Sequence, residues 1–116
     1  MLLLSPRLVG SSKMKTIDHI ALTVEDPKEA ANWYIDNFSG ELLYCDDTWS
    51  FVQFKNIKMA FVKKGTHPAH FAFKVDCFDE QDTVKKHRDN TLSCYKKDPW
   101  GNIYELIKYP EILDDH

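Results

Sequence analysis

A short pattern occurs twice in this 116-residue chain, and a repeated unit that leaves an apolar face bare must pack against its copy. From Ile17 to Val24 apolar residues alternate with small or polar ones: Ile20, Leu22 and Val24 share one face, His19, Ala21 and Thr23 the other. Alternation of this period marks a half-buried strand. The segment His70–Val75 repeats it in the same phase, with His70, Ala72 and Lys74 opposite Phe71, Phe73 and Val75. His19 and His70 therefore hold equivalent places. Further on, Asn56-Ile57-Lys58-Met59 matches Asn102-Ile103-Tyr104-Glu105, which sets Met59 opposite Glu105. The second copy is shorter by about five residues, so its counterpart of a strand at Glu41–Cys45 is expected to be short or missing.

Local signals fill in the rest. Asp26 is placed to cap a helix, with Pro27 at its first position and Glu29 completing a capping-box-like pattern. That helix is expected to reach Asn37, with Ala30, Trp33, Tyr34 and Phe38 as its apolar stripe and Gly40 as its stop. Strands are expected at Glu41–Cys45, Trp49–Phe54 and Lys58–Val62. A second helix over Asp79–Arg88 is suggested by acidic residues at its start and basic ones at its end, which suit the helix dipole. Asp98-Pro99-Trp100-Gly101-Asn102 signals a turn before a strand Ile103–Tyr109. The expected class is α+β: two βαβββ-type modules, residues 16–64 and 68–110, forming a cup-like mixed sheet, the second truncated by about one strand. Residues 1–15 show no period and are expected to be a flexible leader to a single domain over 16–116, with Met14 as an alternative start.

Composition narrows the partners. Charged residues make up 28% and hydrophobic ones 43%, the balance of a folded domain rather than a disordered one. The net charge is −3 with no basic face, so neither nucleic acid nor an anionic membrane is an expected partner. No apolar run approaches a membrane span, and no export signal is read. Cys45, Cys77 and Cys94 lack CxxC spacing, which argues against a disulfide framework or zinc knuckle and for a reducing, cytoplasmic compartment.

Taken together, Asp18-His19-Ile20-Ala21-Leu22, Trp33-Tyr34 on the capped helix, His70-Phe71-Ala72-Phe73 and Asp98-Pro99-Trp100-Gly101-Asn102-Ile103-Tyr104-Glu105-Leu106 resemble the vicinal oxygen chelate superfamily, the glyoxalase, bleomycin-resistance and extradiol dioxygenase group. The likeness covers residues 16–109. It implies a divalent metal ion, Fe(II), Mn(II), Zn(II) or Ni(II), held by His19 from the first strand, His70 from the fifth and Glu105 from the eighth, with Glu105 also the candidate catalytic residue. At the fourth-strand position glyoxalase I has a carboxylate and methylmalonyl-CoA epimerase an amide; the match between the halves puts Met59 there, which fits neither. Two histidines and one carboxylate remain, a facial arrangement with open coordination positions that resembles that of the extradiol dioxygenases. The residues add a physical reason: Glu105 shares its face with Ile103 and Ile107, and a carboxylate on an apolar face needs a partner.

Met59, Phe61 and Lys74 are the expected pocket residues, although core packing would equally explain the first two. Lys74 either places an ammonium in the cup, favouring an anionic small-molecule ligand, or reaches solvent. His67 lies in a Gly65-Thr66-His67-Pro68 linker and is expected to be a loop residue. Three functions are open: a metal-dependent dioxygenase or lyase/isomerase acting on vicinal oxygens, a metal-free binding protein of bleomycin-resistance type, and a non-catalytic dimeric module with a degenerate pocket. A truncated module would leave an open sheet edge, so a homodimer is expected.

Overall fold

The computed structural model describes residues 14–110; most of the expected leader lies outside them. In chain order the elements are β1 (Thr16–Val24), α1 (Pro27–Phe38), β2 (Glu41–Cys45), β3 (Trp49–Gln53), β4 (Lys58–Lys63), β5 (His70–Lys74), β6 (Lys85–Lys86), β7 (Leu92–Lys97) and β8 (Ile103–Lys108). All the strands form one eight-stranded mixed sheet in the order β2-β3-β4-β1-β5-β8-β7-β6. The order is symmetric about its middle: each module winds outward from its first strand, and the two first strands meet at the centre. There β1 and β5 run antiparallel, with Ile20 opposite Phe71, His19 opposite Ala72 and Ala21 opposite His70. On their outer sides β4 and β8 pair in parallel with β1 and β5.

α1 forms where its caps predict. Asp26 accepts from the main-chain N–H groups of Lys28 and Glu29, and Pro27 opens the helix. Its inner face, with Ala31, covers Val52 and Phe61, both fully buried, together with Leu22, Val24, Phe54 and Met59. Tyr34 stacks on Phe61 with ring centroids 4.8 Å apart. The left-handed residue that ends α1 is Ser39 (φ 61°) rather than the expected Gly40. Gly40 serves a different purpose: a Cβ there would stand 2.6 Å from Val52 Cγ1 and 2.9 Å from Phe54 Cε1.

The second module departs from expectation in its helix. Residues Asp79–Arg88 form a turn, the two-residue strand β6 and the start of a further turn instead of a helix. The reason is burial. Val84 is the only apolar side chain in that stretch and is exposed, so a helix there would have no face to pack, and favourable end charges contribute only tenths of a kcal/mol, up to about 1. The segment is tied instead by Lys96 Nζ, 2.9 Å from Asp82 Oδ1. The expected shortening is present: β6, the counterpart of β2, has two residues against five. β7, over Leu92–Lys97, completes the final hairpin expected of the second module, a strand to which the sequence reading assigns no range.

Because Val52 is fully buried and has no room to retreat, Gly40→Ala is expected to cost about 1–3 kcal/mol. Urea unfolding should show a lower midpoint with an unchanged slope.

Candidate metal centre

The sheet register brings three polar side chains together on the face turned away from α1. His19 pairs with Ala72, and Ala72 pairs with Glu105 on its other side, so His19 and Glu105 flank a small alanine on the same face. His70 enters two pairs further along, opposite Ala21 and on the same face. The ligand-type atoms of His19, His70 and Glu105 lie within 4.8 Å of one another. All three residues are buried, at 7%, 8% and 5% exposure.

The outer nitrogens fix the protonation pattern. His70 Nδ1 lies 3.0 Å from the carbonyl oxygen of Pro68, which can only accept, so Nδ1 carries the proton. His19 Nδ1 lies 2.8 Å from Asp18 Oδ2. Burial pushes the Asp18 carboxyl up, but bonds from His19 and Tyr109 and the charge of Lys58 outweigh it and hold it at about 2; it too only accepts. Each neutral ring therefore turns a bare Nε2 lone pair inward, and both Nε2 atoms lie 3.2 Å from the same Glu105 Oε1. While both rings are neutral, three acceptors converge on one point with no donor among them. A cation is the physical remedy. Burial lowers the His19 pKa, but Asp18 and Glu105 overcome it and raise it to about 9. A proton on His19 would settle one contact and leave His70 facing the carboxylate lone pair to lone pair. A divalent ion would settle both, and two imidazoles with one carboxylate form a donor set that suits it. Anchoring of the outer ring nitrogen by a carboxylate or carbonyl is also the usual second layer of histidine–metal sites.

Two expected pocket residues lie on the wrong face. His19 pairs with Lys58, Ile20 with Met59 and Leu22 with Phe61; Met59 and Phe61 therefore point with Ile20 and Leu22 toward α1 and pack in its core. The match of Asn56–Met59 to Asn102–Glu105 was one residue out of phase. Glu105 pairs with Ala72, whose symmetry counterpart is Ala21, and Ala21 pairs with Ala60. The fourth-strand position facing the site is thus Ala60, a methyl group and no ligand. Lys74 is on the site's face, its ammonium 5.4 Å from the Tyr109 ring centroid. His67 is an exposed loop residue whose ring centroid is 6.2 Å from that of His70.

Sequence reasoning missed the surroundings of the triad. Between Ile17 and His19 the β1–β5 register steps by one residue, a bulge that buries Asp18 beside His19. Tyr109 and Lys58 both contact Asp18. Phe51 meets His19 edge-on at 5.5 Å and Tyr95 meets His70 at 5.1 Å. Burial, followed by the charge of Glu105, pushes the Tyr95 phenol above its ordinary value, so at neutral pH it is an O–H donor beside the site. Only Asp18, adjacent to the histidine in the quoted motif, had a signal that could have found it; the others depend on pairings between distant strands.

No protein-family model matches the sequence, and no curated protein matches it. Among solved structures, methylmalonyl-CoA epimerase from Mycobacterium tuberculosis matches with a TM-score of 0.67 at 16% identity, covering 83% of this chain and 89% of that one. A variant of Streptomyces coelicolor methylmalonyl-CoA epimerase in complex with 2-nitronate-propionyl-CoA gives 0.66 at 14%, covering 84% and 100%. A glyoxalase/bleomycin resistance protein/dioxygenase superfamily member from Vibrio splendidus 12B01 gives 0.60 at 10%, covering 82% and 99%. At these identities the likeness shows the fold alone, one that the chain shares with methylmalonyl-CoA epimerases and with a glyoxalase/bleomycin resistance protein/dioxygenase superfamily member.

With metal chelated, stability should depend on pH from both sides. His19 is raised from 6.5 to about 9, so its contribution is complete below pH 6.5 and lost as pH rises through 9. Burial raises the Glu105 pKa, but contacts with His19 and His70 outweigh it and lower it from 4.5 to about 2, so its contribution is complete above pH 4.5 and lost as pH falls through 2. Melting temperatures taken in chelator should therefore peak between pH 4.5 and 6.5. A profile that stays level from there to alkaline pH would contradict the ion pair at His19.

Proposed function

We propose that this protein is a metal-dependent enzyme in which His19, His70 and Glu105 hold a divalent ion, Fe(II), Mn(II), Zn(II) or Ni(II), against two neighbouring oxygens of a small substrate. The observation that carries the reading is the convergence of two Nε2 lone pairs and one carboxylate oxygen at 3.2 Å, with both outer nitrogens already committed. When bound, the ion supplies Lewis-acid stabilisation of negative charge on adjacent substrate oxygens. Glu105 supplies the only negative charge among the three proposed ligands, while Asp18 and Pro68 keep the imidazoles in the metal-binding tautomer. Tyr95 holds a proton beside Glu105. Ala60 at the fourth-strand position leaves a three-residue donor set, which favours dioxygenase over lyase or isomerase chemistry; the epimerases among the structural neighbours support the latter class.

The runner-up is a metal-free binding protein. It is supported by the His19–Glu105 contact, which can stand as an ion pair because His19 is raised to about 9, and by a run of rings leading away from His19. Trp49 lies 5.3 Å from Phe51 and 4.9 Å from Tyr44, a surface suited to an apolar ligand. For either reading we propose a homodimer in a reducing compartment. Trp33 and Phe38 are 53% and 59% exposed on α1, beside the edge strand β2 with Leu42 and Leu43 uncovered; the cysteines are free. Sedimentation equilibrium showing only a 13.6 kDa species would overturn the dimer.

Thermal melting with Mn(II), Fe(II) or Zn(II), and with chelator, separates the readings. Metal should raise the wild-type midpoint. Glu105→Gln should lose more affinity than the roughly 10- to 100-fold that removal of an outer-shell partner costs. Ala60→Glu should tighten binding by adding a ligand, whereas in a metal-free pocket it would set a second buried carboxylate against Glu105 and lower the midpoint whether or not metal is added. Lys74→Met should weaken any anionic inhibitor, since the ammonium is lost while the apolar stem is kept; equal affinity would assign Lys74 to solvent.

A further inference from the structure

The two histidines of the proposed centre are anchored in different ways. His70 is held by a main-chain carbonyl, that of Pro68, whose position the backbone fixes. His19 is held by a side chain, Asp18, which has two rotatable bonds of its own and orients nothing unless something orients it. Tyr109 and Lys58 supply that orientation. Tyr109 Oη donates to Asp18 Oδ2 at 2.8 Å, on the same oxygen that receives His19 Nδ1. Lys58 Nζ lies 3.1 Å from Asp18 Oδ1 and donates to Tyr109 Oη at 3.1 Å. The ammonium groups of Lys58 and Lys74 stand 5.1 and 5.4 Å from the Tyr109 ring centroid, which holds the ring in turn. Three segments, β1, β4 and the residue after β8, meet at one carboxylate that is 7% exposed.

We infer that Tyr109 is a positioning residue of the metal centre, acting through Asp18 on His19; the inference rests on the metal reading above. With the phenol in place Asp18 has one orientation and His19 Nε2 one aim. Without it the carboxylate is free to turn toward Lys58, and the ring it aims is released. Lys58 belongs to the same clamp but is a poor probe of it: its removal would loosen Asp18 while also removing a positive charge near a divalent ion, two effects of opposite sign. Tyr109 is neutral, so its effect has one sign. Tyr109→Phe keeps the ring that both ammonium groups cover and removes only the hydroxyl, which donates to Asp18 and accepts from Lys58.

A double-mutant cycle on Co(II) affinity tests this, read from the visible absorption of the Co(II)-loaded full chain. Tyr109→Phe should weaken Co(II) binding by about tenfold, and Asp18→Asn by about tenfold to 100-fold, the range for loss of an outer-shell partner. The double variant should bind within about twofold of Asp18→Asn alone, because the hydroxyl reaches His19 through Asp18. A merely structural role would lower the melting midpoint in chelator and leave the Co(II) affinity of the folded protein unmoved. Unchanged affinity in Tyr109→Phe, or losses that simply multiply in the double variant, would overturn the inference while leaving the metal centre standing. A wild-type chain that takes up no Co(II) would overturn both.

Discussion

The antiparallel pairing of β1 with β5 is the contact on which the rest of the molecule depends. Opposing Ile20 and Phe71 places His19 and His70 one residue to either side of the sheet's centre, on the same face and close enough to share a partner. Parallel pairing of β8 onto β5 then delivers Glu105 beside Ala72, where an alanine leaves room for the carboxylate to reach both rings. A slip of one residue in the central pair would send one histidine to the α1 side, because side chains alternate with every residue. The site is thus a property of register before it is a property of residue type.

Burying such groups is costly unless each polar atom is answered. Asp18 and Glu105 are two buried carboxylates, and only Lys58 brings a fixed positive charge to them. The balance is made by sharing. Asp18 receives His19, Tyr109 and Lys58, Glu105 faces both rings, and among the described residues no buried side-chain nitrogen or oxygen lacks a partner. What sharing does not supply is a second donor: a proton on His19 Nε2 answers one of the two contacts with Glu105 and leaves His70 Nε2 facing the carboxylate, so the place where the polar network is weakest is also the place where a cation would contribute most.

Much of this was legible in the sequence, for identifiable reasons. β1, β5 and β8 were readable because each alternates with a polar residue on an apolar strand, and α1 because Asp26 and Pro27 announce it. The grouping of the triad was readable because His19 and His70 sit at repeat-equivalent places and Glu105 is a carboxylate on an apolar strand face. The helix expected over Asp79–Arg88 was read from end charges alone, and a stretch whose only apolar side chain is Val84 has nothing to bury. Met59 was set opposite Glu105 by matching Asn-Ile pairs; the strand pairing shows that Ala60 faces the site, and a one-residue error in a strand exchanges faces. Tyr95, Lys58 and Tyr109 carried no local signal, since their roles arise from contacts between strands that the sequence does not pair.

The two modules divide the work unequally. The buried cluster of Ala31, Val52 and Phe61 lies wholly in the first, under α1, while the second contributes His70, Glu105, Tyr95 and Tyr109 to the site and has no helix of its own among the described residues. The half that carries most of the chemistry is therefore held by pairing with the half that carries most of the core. Such an arrangement couples fold and site in one direction: loosening α1 from β3 and β4 would weaken the scaffold of both modules, whereas loss of a polar contact around Asp18 would leave the core under α1 untouched. It also accounts for the survival of the second module without its helix. β5 and β8 are internal strands of the shared sheet, paired on both sides, so the register that places the site is kept by main-chain hydrogen bonds even where apolar cover is thin.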